Sequence, residues 1–181
     1  MKKHDEHTLQ TLLQDPHKQR EAFEEVVRTY SPQLYWQIRR LVFSHDDADD
    51  LLQNTFLKAW SNLNTFRGDS RLSTWLYRIA LNESLTFLRQ KREELALDDP
   101  EASIISNLQS DPYFDGDETD YQLQQALSTL PDKQRAVFNM KYYQEMKYEE
   151  MSDILHTSVG ALKASYHIAV KKIEAFFANI D

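Results

Sequence analysis

Four side chains in the middle of the chain carry the chemistry of a nucleic-acid binder. Trp75, Arg78, Asn82 and Arg89 fall at i, i+3, i+7 and i+14, on one side of a helix. An aromatic ring, an amide and two guanidiniums suit single-stranded DNA, because bases stack on aromatic or Arg planes and phosphates seek positive charge. Spacing alone also allows Trp75 to be core, and both readings stand at this level. A second set lies towards the C-terminus. Val159, Leu162, Tyr166, Ala169 and Ile173 form an inward stripe, which leaves Lys163, Ala164, Ser165, His167, Ile168, Lys171 and Lys172 facing outward. A helix entering the major groove reads base edges with its N-terminal half and phosphates with flanking basic residues.

Other chemistries find little support. The carboxylate pairs Asp46/Asp47 and Asp49/Asp50 sit at a helix start, and Glu149/Glu150 have no His at ligand spacing. A helical hydrolase built on paired carboxylates is therefore the weakest reading. There is no cysteine, which excludes thiol catalysis, disulfides and Cys-ligated metal. The glycines Gly68, Gly116 and Gly160 stand too far apart for a phosphate loop. His167 has no second ligand placed to help it hold a metal. No catalytic residue, metal or cofactor is expected.

The elements that must position these groups are helices. Three glycines and five prolines in 181 residues are too few for a turn-dense β fold. Phe23, Val26, Val27 and Tyr30 open one stripe, and Ser31-Pro32 reads as an N-cap and first-turn proline restarting a helix through Leu34, Ile38 and Leu41. Leu51, Leu52, Thr55, Phe56, Ala59, Trp60 and Leu63 give a buried face, with Asp46, Asp47, Asp49 and Asp50 crowding the positive end of that helix. A polar loop, 64–70, precedes a long helix from about Leu72 to Lys91. Further on, helices are expected over Tyr121–Leu130, from Pro131 through Met140, over Tyr148–Leu155, and from an N-cap at Thr157 to about Ala178. A short helix, a tight turn and a longer helix make a helix-turn-helix.

Charge divides the chain. Residues 1–92 hold 14 Lys+Arg against 12 Asp+Glu, residues 93–120 none against 10, and residues 121–181 seven against seven. The net charge of −8 thus comes from one segment and does not argue against nucleic-acid binding on either side of it. That segment carries Pro100, Pro112 and Gly116 and shows no sustained helical period, as expected of a flexible linker. The fold expected is all-α: two small helical domains, 1–92 and 121–181, joined by the acidic linker 93–120, with the helix-turn-helix in the second. No apolar h-region follows the N-terminal Met-Lys-Lys-His-Asp-Glu-His, and no run approaches a membrane span, so a cytoplasmic protein without membrane insertion is expected.

At the level of whole motifs the chain resembles a family. The run from Asp47 to Trp60, DADDLLQNTFLKAW, is similar to the second region of bacterial sigma factors, and Phe66 to Asn82, FRGDSRLSTWLYRIALN, to their promoter-melting segment. Leu130 to Ile173 resembles their fourth region, with Tyr148–Met151 in the first helix of the motif and Ser158–Lys163 opening the recognition helix. Two such regions without a third is the arrangement of the extracytoplasmic-function (ECF) group of the sigma-70 family.

The resemblance implies a promoter-specificity subunit of RNA polymerase, not an enzyme. It implies that Asp49, Asp50, Gln53, Asn54 and Leu57 dock on the clamp helices of the largest polymerase subunit. Residues alone leave open a merely solvated face there, although a leucine among polar neighbours points to a partner. It implies that a flipped base of the −10 element enters a pocket at Arg67, Gly68, Asp69 and Ser70, beside Trp75, Arg78, Asn82 and Arg89. It implies −35 contacts from Lys163, Ala164, Ser165, His167, Ile168 and Lys171, and an anti-sigma factor as partner. Asp49 and Asn54 replace common glutamates, and Ser165 and Ile168 replace common arginines. The linker is either a spacer or a mimic of nucleic acid inside the polymerase. Outside the family, the alternative is a stand-alone dimeric helix-turn-helix regulator.

Overall fold

The computed structural model describes residues 4–94 and 116–180. Among them are eight α-helices: α1 Glu6–Leu13, α2 Gln19–Val42, α3 His45–Ser61, α4 Leu72–Glu94, α5 Glu118–Ser128, α6 Asp132–Tyr142, α7 Tyr148–Leu155 and α8 Val159–Ala178. A 3-10 turn, Leu63–Thr65, follows α3. Most of the acidic segment, residues 95–115, lies outside the described residues. Its ends do not: Glu93 and Glu94 finish α4, and the Asp117 side chain caps α5 by accepting the Asp120 N–H at 2.9 Å.

The described residues group into two compact units, one within residues 1–39 and 46–86, the other within residues 40–45 and 87–181. In the first, α1 to α4 contribute the buried Leu9, Val26, Ile38, Ala48, Leu51, Phe56, Leu72, Leu76, Tyr77 and Ala80. Each large aliphatic side chain so buried contributes about 1.5–3 kcal/mol. Lys58 on α3 pairs with Glu83 on α4.

The second unit is built around Ala126, Leu127, Leu130, Phe138, Ala169 and Ile173, with Phe43 among them. Its Arg135 guanidinium is buried, donating to the carbonyls of Leu130 at 3.1 Å and Leu41 at 2.8 Å and pairing with Asp132 at 3.2 Å. Burial pulls its pKa down to about 10, against the pull of Asp132, so it stays charged at neutral pH.

The structure corrects three local expectations and adds one helix. Helix α2 does not restart at Ser31-Pro32 but runs through Pro32. The Ser31 hydroxyl bonds back to the Val27 carbonyl at 2.5 Å, an additional local bond beside a residue that has no N–H to give to the ladder. Trp60 is not core: it is 43% exposed, with its ring 5.1 Å from that of Phe23. The cap of α8 is Ser158, whose hydroxyl accepts the Ala161 N–H at 3.2 Å, whereas Thr157 bonds the Leu155 carbonyl. Helix α1, with Leu9 and Leu13 buried, has no counterpart in the sequence reading.

Candidate polymerase and promoter interfaces

The loop before α4 is tied at both ends. Asn62 donates its amide to the Lys58 carbonyl at 2.8 Å, Thr65 gives its hydroxyl to the Asn62 carbonyl at 2.7 Å, and Phe66 N–H reaches Leu63 at 3.2 Å. Phe66 is buried, and the half-buried Trp75 ring packs on it with centroids 5.0 Å apart. Between these anchors Arg67, Gly68 and Asp69 are exposed and Ser70 is half-buried. Gly68 has φ +78°, a left-handed conformation that side chains adopt only with strain. The loop is thus a short exposed bridge held over an aromatic pair.

On α4, Leu72, Leu76, Tyr77, Ala80 and Leu81 face the core, and Ile79 is half-buried. Trp75 and Arg78 sit half in, and Asn82 is exposed. The Arg78 Nε is buried and makes no hydrogen bond among the described residues. Arg89 is also exposed, but it stands about 21 Å along the helix from Trp75 and groups with the second unit. Arg67, Gly68, Asp69, Ser70, Trp75, Arg78 and Asn82 therefore belong to one unit, and Arg89 does not join them. Trp75 is neither wholly core nor wholly free: its ring packs on Phe66 and part of its surface is exposed.

Helix α3 turns Ala48, Leu51, Thr55, Phe56 and Ala59 inward. Asp49, Asp50, Gln53, Asn54 and Leu57 are all exposed, Leu57 to 64%. Leaving a leucine in water forgoes about 1.5–3 kcal/mol of burial. Trp60, one turn further, extends the apolar exposure.

The helix-turn-helix is α7 and α8. His156 closes α7 in the left-handed region at φ 51°. Met151, Ile154 and Leu162 are buried around the turn. On α8, Leu162, Ala169 and Ile173 are buried, while Val159 and Tyr166 are half-buried. Lys163, Ala164, His167, Ile168, Lys171 and Lys172 are exposed, and Ser165 is half-buried. The Lys163 ammonium lies 5.7 Å from the centre of the Tyr148 ring, and Lys141 sits 4.8 Å from the same ring. Lys171 pairs with Glu174 at 3.0 Å and Lys172 donates to Gln134 at 3.0 Å. Sequence reading missed the Lys141–Tyr148–Lys163 cluster, whose members come from three helices. Only an aromatic at the first position of α7 signalled it.

Among the described residues no helix is long and apolar enough to cross a membrane. Residues 26–94 match the family model for Sigma-70 region 2, and residues 120–173 match that for Sigma-70, region 4. The ECF RNA polymerase sigma factor SigW of Bacillus subtilis (strain 168) is 31% identical over 157 residues, covering 81% of this chain and 84% of the relative. The RNA polymerase sigma factor YlaC of the same organism is 31% identical over 158 residues, covering 84% and 90%. The fold is similar to the sigma factor RpoE from Bartonella quintana, solved in complex with the anti-sigma factor NepR, with a TM-score of 0.69 at 23% identity over 86% of this chain and 96% of that one. It is also similar to CnrH, solved with the cytosolic domain of CnrY, with a TM-score of 0.68 at 23% identity over 97% and 99%. Both promoter-recognition regions are matched in chain order, and relatives span most of the length. The chain belongs to the sigma-70 family, in its ECF group: a sigma factor that gives RNA polymerase its promoter specificity and is not itself an enzyme.

Proposed function

We propose a division of labour among the exposed faces. Residues 1–92 dock on core polymerase and read and melt the −10 element, residues 121–181 read the −35 element, and residues 93–120 connect them. Asp49, Asp50, Gln53, Asn54 and Leu57 on α3 meet the clamp helices of the largest polymerase subunit. The loop Arg67–Ser70 receives an extruded base, because unstacking exposes the edges that a rigid loop can hydrogen-bond. Trp75, Arg78 and Asn82 stack on and neutralise the single strand, and Arg89 meets phosphate further along. On α8, Lys163, Ala164, Ser165, His167 and Ile168 face base edges and Lys171 faces the backbone of the −35 duplex. The protein works in the cytoplasm, and an anti-sigma factor restrains it, as NepR binds the structurally similar RpoE.

The observation that carries the docking assignment is Leu57, an exposed leucine amid polar neighbours on a helix whose opposite face is fully packed. Leu57→Asp combined with Gln53→Ala should weaken core-polymerase binding by about tenfold or more while the melting temperature stays within a degree or two, since an exposed site loses only its partner. Affinity equal to the wild type would remove this face from docking. A large drop in melting temperature would make Leu57 a packing residue.

A further inference from the structure

Helix α1 lies ahead of both matched family regions, the first of which begins at residue 26, and yet it reaches the start of α4. It is firmly placed. Leu9 and Leu13 are buried one turn apart. The Asp5 carboxylate caps the helix by accepting the Thr8 N–H at 2.7 Å. Just before it, His4 makes two contacts with Glu25 on α2, its backbone N–H to Oε1 and its Nδ1 to Oε2, each at 2.7 Å. At the other end the Gln19 amide donates to the Leu13 carbonyl at 2.9 Å.

Two residues of this anchored helix are turned to the loop. The Glu6 Oε1 accepts the N–H of Ser73 at 3.4 Å. Ser73 is the second residue of α4, and its amide is one of the four that a helix start leaves without an intrahelical carbonyl. A preceding Ser, Asp or Asn would normally take it. Here the preceding residue is Arg71, whose guanidinium can only donate. The cap comes instead from another helix, as a carboxylate facing the positive end of the α4 dipole. One turn along α1, the Gln10 Oε1 stands 3.8 Å from the point where a Cβ would sit on Gly68. Glu6 and Gln10 thus bracket the loop, one at its exit into α4 and one against its left-handed glycine.

We infer that α1 is a brace for base recognition, with Glu6 and Gln10 as positioning residues that hold Arg67–Ser70 in the shape that receives the extruded base. The inference rests on the reading of that loop proposed above. Neither residue needs to touch DNA for the effect. Releasing either end lets the loop sample other shapes, and discrimination between bases falls before affinity for the polymerase does.

The test uses holoenzyme assembled from core polymerase and the full chain, bound to a pool of randomised single-stranded oligonucleotides that is then sequenced. Glu6→Ala and Gln10→Ala should each flatten base preference by roughly three- to tenfold, the range expected for a lost helix cap or loop contact. Core affinity should be unchanged. Glu6→Gln, which keeps an acceptor oxygen, should restore most of the preference. Gly68→Ala perturbs the loop directly. If it abolishes preference while Glu6→Ala and Gln10→Ala match the wild type, the brace is refuted and the loop assignment survives. If none of the three alters preference, the loop reads no base and both readings fall. If Glu6→Ala weakens core binding in parallel and Glu6→Gln rescues nothing, Glu6 serves general stability and the brace is again refuted.

Discussion

The two promoter-facing regions of this sigma factor are built on different plans. The loop and first half of α4 fix part of their proposed recognition set, with Trp75 packed on Phe66, Arg78 half-buried and the Gly68 backbone left-handed, while Arg67, Asp69 and Asn82 are exposed. The outward face of α8 is more open: Lys163, His167, Ile168 and Lys171 are all exposed, with Lys163 5.7 Å from the centre of the Tyr148 ring and Lys171 paired with Glu174 at 3.0 Å. Under the functions proposed above, the difference follows from what each must read. An extruded base has no partner strand to orient it, so the protein must supply the shape in advance. A duplex groove already has a fixed shape, and a helix needs only to enter it and let long side chains adjust. On that reading, rigidity is placed where the nucleic acid lacks it.

The largest test of this contrast is Trp75→Ala. It removes the ring from Phe66 and should cost about 2–3 kcal/mol of stability, below the full penalty for a buried aromatic because Trp75 is only half-buried. Thermal melting measures the stability loss, and open-complex formation on a pre-melted promoter bubble separates it from loss of base binding. A fully stable variant would show that the ring is not support, and the contrast with α8 would weaken.

A smaller effect is expected from Lys163→Ala. Exposed and only loosely drawn to the Tyr148 ring, it should leave melting unchanged and cost about 1 kcal/mol of −35-dependent transcription. If the cost changes with the base at one promoter position, Lys163 reads an edge. A uniform cost across promoters would make it a phosphate contact, and steeper salt dependence of the wild type would confirm that assignment.

The smallest effect is an acid response confined to the first region. The backbone N–H of Thr8 holds the Asp5 carboxyl below its ordinary value, and the two contacts from His4 do the same for Glu25. A carboxyl depressed in the folded state stabilises fully above its unfolded pKa and loses that stabilisation as pH falls through the lowered folded value. Backbone NMR signals of α1 should therefore broaden or shift on acidification below the ordinary carboxylate range while those of α8 stay in place. Simultaneous loss in both helices would mean that α1 has no separate acid-sensitive anchorage.

What could be read from the residues depended on how far an element's own period decided its placement. The faces of α3 and α8 were legible because their apolar positions repeat over four or more turns, so the outward set followed by subtraction. The two-region arrangement was legible from motif order. Helix α1 was not: eight residues with Leu9 and Leu13 as its only buried positions give too little period to stand out from a polar terminus. The uninterrupted α2 was missed because Ser-Pro is a sound start signal locally, and only packing on both sides of Pro32 keeps the helix going. Trp60 was misjudged because its spacing fits the core face while the Phe23 ring meets it at the rim. The approaches of α1, Glu6 to the Ser73 N–H and Gln10 to the side of Gly68 where a Cβ would sit, join residues far apart in the chain and leave no local trace.

The bend between α7 and α8 bears on how freely this protein can evolve. His156 occupies a backbone region that glycine enters freely and that costs other residues of order 1 kcal/mol or more. That cost is met by the packing of Met151, Ile154 and Leu162 around it. The reserve against mutation in those helices is smaller by the same amount, because a protein near its stability threshold tolerates only what its margin covers. A glycine at this bend would widen that margin, and with it the room for α8 to change its outward residues.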